Sequence, residues 1–409
     1  MLNNIIQNIN YITKEDIHEL ETLFEISNIE EYVYSSYHKL MEQWNQEYPM
    51  FDIPSGMIGI RMNDTEYYYS IGAKEYTEDT IFDIASMTKL YTEFVLFAFL
   101  EEYHLSLDTK LKELTTVYPN IEEMTILDLL EFKNTYRTTV DIRNCTNKKD
   151  AVDALRTVYT LEEKAGYYLY TDLPIMILTD VMEMYSGRSY QELFQQYIIE
   201  KYQLMDTYLA IDSDRYVTVN KGMINDPKAN IMGGYYGHAG VKTTSKDFIT
   251  FLYHVMNSQY VDLFVTPSRV IDDVTDLPIV MKGIIGNSNI SNVELEGMAS
   301  KYLPALGFAV QGSVRCHGET MKFVIDEKEY TVSSCIFLDL YTQVENIRKY
   351  EQETGKILTK EYDVDGYGPL IMCDVRSLLS YQGVYKELTN VVGKARVMEL
   401  SRYLEIKRV

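Results

Sequence analysis

The sequence predicts a mixed α/β (α+β) fold: an antiparallel sheet flanked by N- and C-terminal helices, joined to a mostly helical subdomain. Three observations lead there. A helical pattern over residues 14–45 runs into a strand–turn–strand pattern at 55–71. The stretch from about 86 to 257 is dominated by apolar residues at helical spacing. From about Gly307 short strand-like runs return, and an amphipathic helix closes the chain.

The first helix starts at Thr13-Lys14-Glu15-Asp16, a polar N-terminal signal, with Ile17, Leu20 and Phe24 on one face. Pro49 and Pro54 interrupt it. Ser55 to Met62 then reads as a strand, Asn63-Asp64 as a turn and Tyr67 to Ile71 as the returning strand of a hairpin. An apolar helix follows at about 86–102, then helices at 125–130, 148–160, 173–202 and 245–257. Strands are expected at 307–315, 321–326, 330–339 and 369–375, with Asp326-Glu327-Lys328-Glu329 as a polar turn. A polar helix is expected at 342–354, and the final helix spans Gly383 to Leu404. The hairpin and the late strands must share one sheet. The chain therefore reads as a single domain, 1–409, with a sheet subdomain at about 1–100 and 300–409 and a helical one at about 101–299.

Composition removes several function classes. With 46% hydrophobic residues the chain can bury a real core. The 36 Tyr against one Trp fit half-buried packing surfaces. A formal net charge of −23 repels phosphate backbones, and no basic patch is interleaved with aromatics, so nucleic acid is not an expected partner. The four cysteines, Cys145, Cys316, Cys335 and Cys373, are scattered without metal-ligand spacing and read as free thiols in a reducing compartment. No metal and no cofactor are expected. Met1 to Ile6 lacks a basic leader, and no run reaches the ~18 apolar residues of a membrane span, so a cytoplasmic protein is expected.

The sharpest local feature is Phe82-Asp83-Ile84-Ala85-Ser86-Met87-Thr88-Lys89. Ser86 opens the apolar helix and Lys89 lies three residues on, so hydroxyl and amine share a face. A serine hydroxyl is a poor nucleophile until a base takes its proton, and a lysine amine serves only where its surroundings lower its pKa. The run Phe94 to Leu100 is apolar throughout, so the helix is buried and Lys89, in its first turn, is at least partly buried. Ser and Lys are also ordinary helix-start residues, so the pair alone is weak evidence; its place on a buried helix after a hairpin is better.

The run Thr77 to Lys89 resembles the first active-site box of serine β-lactamases, penicillin-binding proteins and their esterase relatives, the class C type most of all. Further matches follow in order: Met124 to Leu130, Gly166 to Asp172, Tyr185 to Tyr190, Leu204 to Thr207, Asn225 to Ala229 and Gly237-His238-Ala239-Gly240. The resemblance runs from about residue 50 to the C-terminus. It implies a serine hydrolase working through an acyl-enzyme, with Ser86 as nucleophile and Lys89 and Tyr170 moving its proton.

Two boxes depart from the family pattern. Tyr-x-Asn becomes Tyr170-Thr171-Asp172, and an ionised Asp has no N–H to offer a substrate carbonyl. Asp172 either pairs with Lys89, holding it charged, or recognises a substrate amine. The third box falls near Arg315-Cys316-His317-Gly318-Glu319, which makes His317 a substrate-binding candidate, or at Lys328-Glu329-Tyr330; neither holds the Thr-Gly pair. The expected substrate is a small ester, amide or short peptide. The alternative is a catalytically impaired relative that binds a ligand or partner in the same cleft.

Overall fold

The computed structural model describes residues 55–72, 74–161, 170–211, 214–217, 226–265, 267–271, 279–282, 305–313, 316–325, 328–339 and 352–355. The expected helices at 14–45 and 383–404, the strand at 369–375 and most of the polar helix at 342–354 lie outside these residues.

Strands β1 (Gly56–Met62) and β2 (Thr65–Ile71) form the expected hairpin. Met62 pairs with Thr65 across the two-residue turn, and Asn63 takes the positive φ (51°) that such a turn requires. After β3 (Ile81–Asp83) a 3₁₀ turn, Ala85–Met87, leads into α1 (Thr88–Glu102). Ser86 thus sits in the tight turn before the α-helix and not inside it. Every residue of α1 from Thr88 to Leu100 is buried; the apolar run Phe94 to Leu100 demands it, and the polar residues of the first turns are buried with it.

The segment expected as one helix over 173–202 is divided. Helix α2 (Leu173–Ser186) ends at Gly187, which adopts the left-handed conformation (φ 68°) that terminates helices. Ser189 and Glu192 then form a capping box that starts the next helix, Tyr190–Phe194. The expected helix at 148–160 ends at Leu155. Short helix α3 (Pro227–Ile231) begins at an Asp226 cap with Pro227 in its first turn. Strand β4 (Lys242–Thr244) pairs antiparallel with β3 and leads into α4 (Ser245–Met256).

The late strands are β5 (Ala305–Ser313), β6 (Cys316–Ile325) and β7 (Lys328–Leu338). They join the hairpin in a five-stranded sheet of order β5-β6-β7-β1-β2, antiparallel throughout. Gly56 is opposite Leu338 and Met62 opposite Val332, so chain segments separated by the helical region close one sheet. Helix α4 packs on it. A Cβ added at Gly318 would collide with the Phe248 ring, so the bare backbone there sets how closely helix and sheet approach. The fold is mixed helix and sheet, as the sequence predicts. No helix among the described residues is long and apolar enough to cross a membrane.

Candidate active site

Three segments meet at the N-terminal end of α1. The first is the turn carrying Ser86. Ala85 before it holds φ 47°, an uncommon conformation for a residue with a side chain, and its N–H donates to Asp83 Oδ1 at 2.7 Å. Ser86 and Lys89 lie three residues apart across the junction of this turn with α1, so their side chains share a face. Lys89 Nζ donates to Ser86 Oγ at 2.8 Å, and Lys89 itself is 0% exposed.

The second segment precedes α2. Asp172 Oδ1 lies 2.8 Å from Lys89 Nζ. Lys89 Nζ stands over the Tyr170 ring, 4.9 Å from its centroid. Phe132 packs on Tyr170 with ring centroids 5.4 Å apart.

The third segment is the loop at 237–241, docked on α1 by three polar side chains in its first two turns. Thr92 Oγ1 donates to the Gly237 carbonyl at 2.5 Å, Thr88 Oγ1 accepts from Val241 N–H at 3.0 Å, and Lys89 Nζ donates to the His238 carbonyl at 3.1 Å. The His238 ring is buried and its Nε2 lies 3.0 Å from Asp226 Oδ1, so a carboxylate holds this ring. Lys228, on α3, reaches Asp172 Oδ2 at 2.5 Å.

The electrostatics follow from this crowding. Burial works to lower the Lys89 pKa, but the Asp172 carboxylate and the Tyr170 phenol outweigh it and push the ammonium above its ordinary range. Burial alone would raise Asp172; Lys89, His238 and Lys228 instead hold it well below the usual carboxylate range. Tyr170 is pushed up, chiefly by burial, against the opposing pull of Lys89. In this state the serine faces an ammonium and a neutral phenol.

Of the sequence-predicted residues, Ser86, Lys89, Tyr170 and Asp172 come together. Of the two readings of Asp172, the geometry shows the ion pair with Lys89. His317 lies in β6, its backbone paired with Gln311 and Ile336. Its neighbour Cys316 donates Sγ–H to the Ile84 carbonyl at 3.2 Å, so this end of β6 adjoins the nucleophile turn. Lys328 pairs with Ile325 at the opposite end of β6. Sequence reasoning missed Asp226 and Lys228. Asn225-Asp226-Pro227 marks a helix start, but nothing local says that its charges face Asp172.

Asp172, Asp226 and His238 each place one ligand-type atom within 4.8 Å of the others. The donor set does not fit a metal, because Asp172 already holds two ammonium groups whose charge opposes a cation. Beside the site lies a cavity of about 480 Å³. Tyr170, Asp172 and Lys228 are among its lining residues, with Tyr136, Arg137, Asp141 and Arg143.

Comparison with known proteins agrees with this architecture. A family model described as Beta-lactamase matches residues 47–268, more than half of the chain. The chain belongs to the beta-lactamase family. Among solved structures it is similar to a beta-lactamase/D-alanine carboxypeptidase from Pseudomonas syringae, at 16% identity and a TM-score of 0.54, covering 79% of this chain and 99% of that one. A penicillin binding protein from Bacillus halodurans aligns at 17% identity with a TM-score of 0.52, covering 73% and 94%. A class C beta lactamase from Rhodobacter sphaeroides aligns at 17% identity with a TM-score of 0.50, covering 74% and 94%. At such identities the likeness is one of fold. No curated protein matches the chain.

Proposed function

We propose that this beta-lactamase family member is a serine hydrolase that works through an acyl-enzyme at Ser86 on a small ester, amide or short-peptide substrate. One observation carries the reading: the Ser86 hydroxyl, in the turn before a buried helix, lies 2.8 Å from a fully buried lysine, whose partner Asp172 lines a cavity of small-molecule size. Ser86 Oγ attacks the acyl carbonyl, and its proton passes to the Lys89–Tyr170 pair once that pair has shed a proton to solvent. The Ser86 N–H and a strand N–H stabilise the oxyanion. The leaving group takes the proton as the tetrahedral intermediate collapses, and water then attacks the ester at Ser86 to release the acid. Because Lys89 and Tyr170 are both held protonated, acylation accelerates as pH rises. Arg137, exposed on the cavity wall, has no carboxylate partner among the described residues and suits substrates with an anionic group.

The test is labelling of the full chain with a fluorophosphonate between pH 6 and 10. Labelling that grows with pH and is lost in Ser86→Ala supports the reading; a folded protein that never labels counts against it. The Lys89–Asp172 ion pair favours a second reading, a ligand-binding relative whose serine stays protonated. Inert esters, peptides and β-lactams, together with a ligand that raises the melting temperature, would select it.

A further inference from the structure

We propose that Lys228 is a positioning residue that offsets the charge of Asp172, so that the carboxylate standing where the family resemblance implies a neutral Asn does not lock the proton on Lys89. The inference rests on the reading of Ser86 and Lys89 as the reactive pair.

The geometry is a three-membered charge row. Asp172 presents one oxygen to each lysine, Oδ1 to Lys89 at 2.8 Å and Oδ2 to Lys228 at 2.5 Å. Asp172 is 13% exposed and Lys228 23%, so solvent screens this row only in part. A carboxylate shared between two cations holds each less firmly than it would hold one, and the two ammonium groups repel each other. Both effects make the Lys89 proton easier to lose. With a neutral side chain at 228, the full charge of Asp172 would fall on Lys89.

Of the other groups around Asp172, only the His238 ring, within 4.8 Å and hydrogen-bonded to Asp226, also draws on its charge. Tyr170, from the same segment, is a neutral phenol. Asp226, capping α3, adds negative charge and is engaged by the His238 ring and the Ala229 N–H. Arg143, in the cavity lining, is spent on Asp141, with three contacts at 2.7 to 3.2 Å. Arg137 donates to the Tyr136 carbonyl at 3.0 Å. Lys228 is also firmly mounted. Asp226 caps its helix, Pro227 fixes the first turn, and Asp172 and Asp226 keep it protonated against the opposing pull of burial. A lysine that was merely a surface ion-pair partner would influence stability and leave the titration of the site untouched.

The experiment compares the full-length wild type, Lys228→Met, Asp172→Asn and the double variant, each checked for folding by circular dichroism. Fluorophosphonate labelling of Ser86 is followed against pH, and the titration of Lys89 by ¹³Cε NMR. Lys228→Met should slow labelling at pH 7 by roughly tenfold and move its rise to higher pH. Asp172→Asn should move the rise to lower pH. Adding Asp172→Asn to Lys228→Met should restore labelling to the wild-type level or above. Lys89 should follow the same order, remaining charged to the highest pH in Lys228→Met. Equal Lys89 titrations in wild type and Lys228→Met, or no rescue by Asp172→Asn, would overturn the proposal. A Ser86 that never labels, with the Lys89 titrations in the expected order, would instead overturn the hydrolase reading and leave this coupling standing.

Discussion

The carbonyl oxygen of His238 accepts the third hydrogen of the Lys89 ammonium, after Ser86 Oγ and Asp172 Oδ1 have taken the other two. A lysine ammonium has three donors, so this buried cation is fully satisfied by acceptors from three separate chain segments. A planar guanidinium cannot reproduce a tetrahedral set of donors within the same space. Lys89→Arg should therefore keep the charge and still lower fluorophosphonate labelling by at least ~10²-fold, with a lower melting temperature. Labelling that survives in Lys89→Arg would show that only the charge matters.

Ser86→Ala removes the attacking oxygen and little else. Turnover of p-nitrophenyl esters should fall by ~10³-fold or more. Stability should change by only about 1 kcal/mol, because one partly exposed hydroxyl and its hydrogen bond are lost. A large loss of stability in urea titration would make any activity loss uninformative.

The acid limb of stability has a defined sign. Asp172 and Asp226 are both held below their ordinary range, against burial, by the lysines and His238 around them. A carboxyl whose folded pKa is depressed adds stability that is complete above its unfolded value, about 3.9 for Asp, and is lost as pH falls toward the folded value. The contribution of these two groups should thus be flat from pH 5 to 8 and decline below about pH 4. Urea unfolding of wild type and Asp172→Asn between pH 3 and 8 checks this: the variant should show the shallower acid decline.

Gly318 lies under the Phe248 ring with no space for a Cβ. Gly318→Val should push α4 from the sheet and cost about 1–3 kcal/mol. Phe248→Leu in the same chain should recover part of it. Thermal unfolding of the two variants is the measurement, and additive losses would contradict a shared contact.

The fold was legible wherever local pattern and final structure agree. The Asn63-Asp64 turn between two β-rich runs marks the hairpin, and the apolar run Phe94 to Leu100 marks a buried helix. The break inside 173–202 was written in Gly187 and Ser189-Tyr190-Gln191-Glu192, a stop and a start that outweigh the apolar periodicity on either side. In the site, Ser86 and Lys89 are readable because their spacing is local. Tyr170 and Asp172 emerge only through the ordered resemblance, since nothing in their own segment aims them at α1. The Asp226–His238 and Asp172–Lys228 contacts were not legible, because each joins residues whose proximity is decided by how the 226–240 region docks.

The burial of α1 on all sides has a practical consequence for adapting this protein. A nucleophile anchored to so immobile a column cannot swing to meet differently shaped acyl groups. Changes in preference must come from the exposed residues of the cavity lining, Arg137, Asp141 and Arg143, where replacing a side chain does not disturb the central core. Directed libraries confined to those three positions should alter selectivity while sparing the melting temperature.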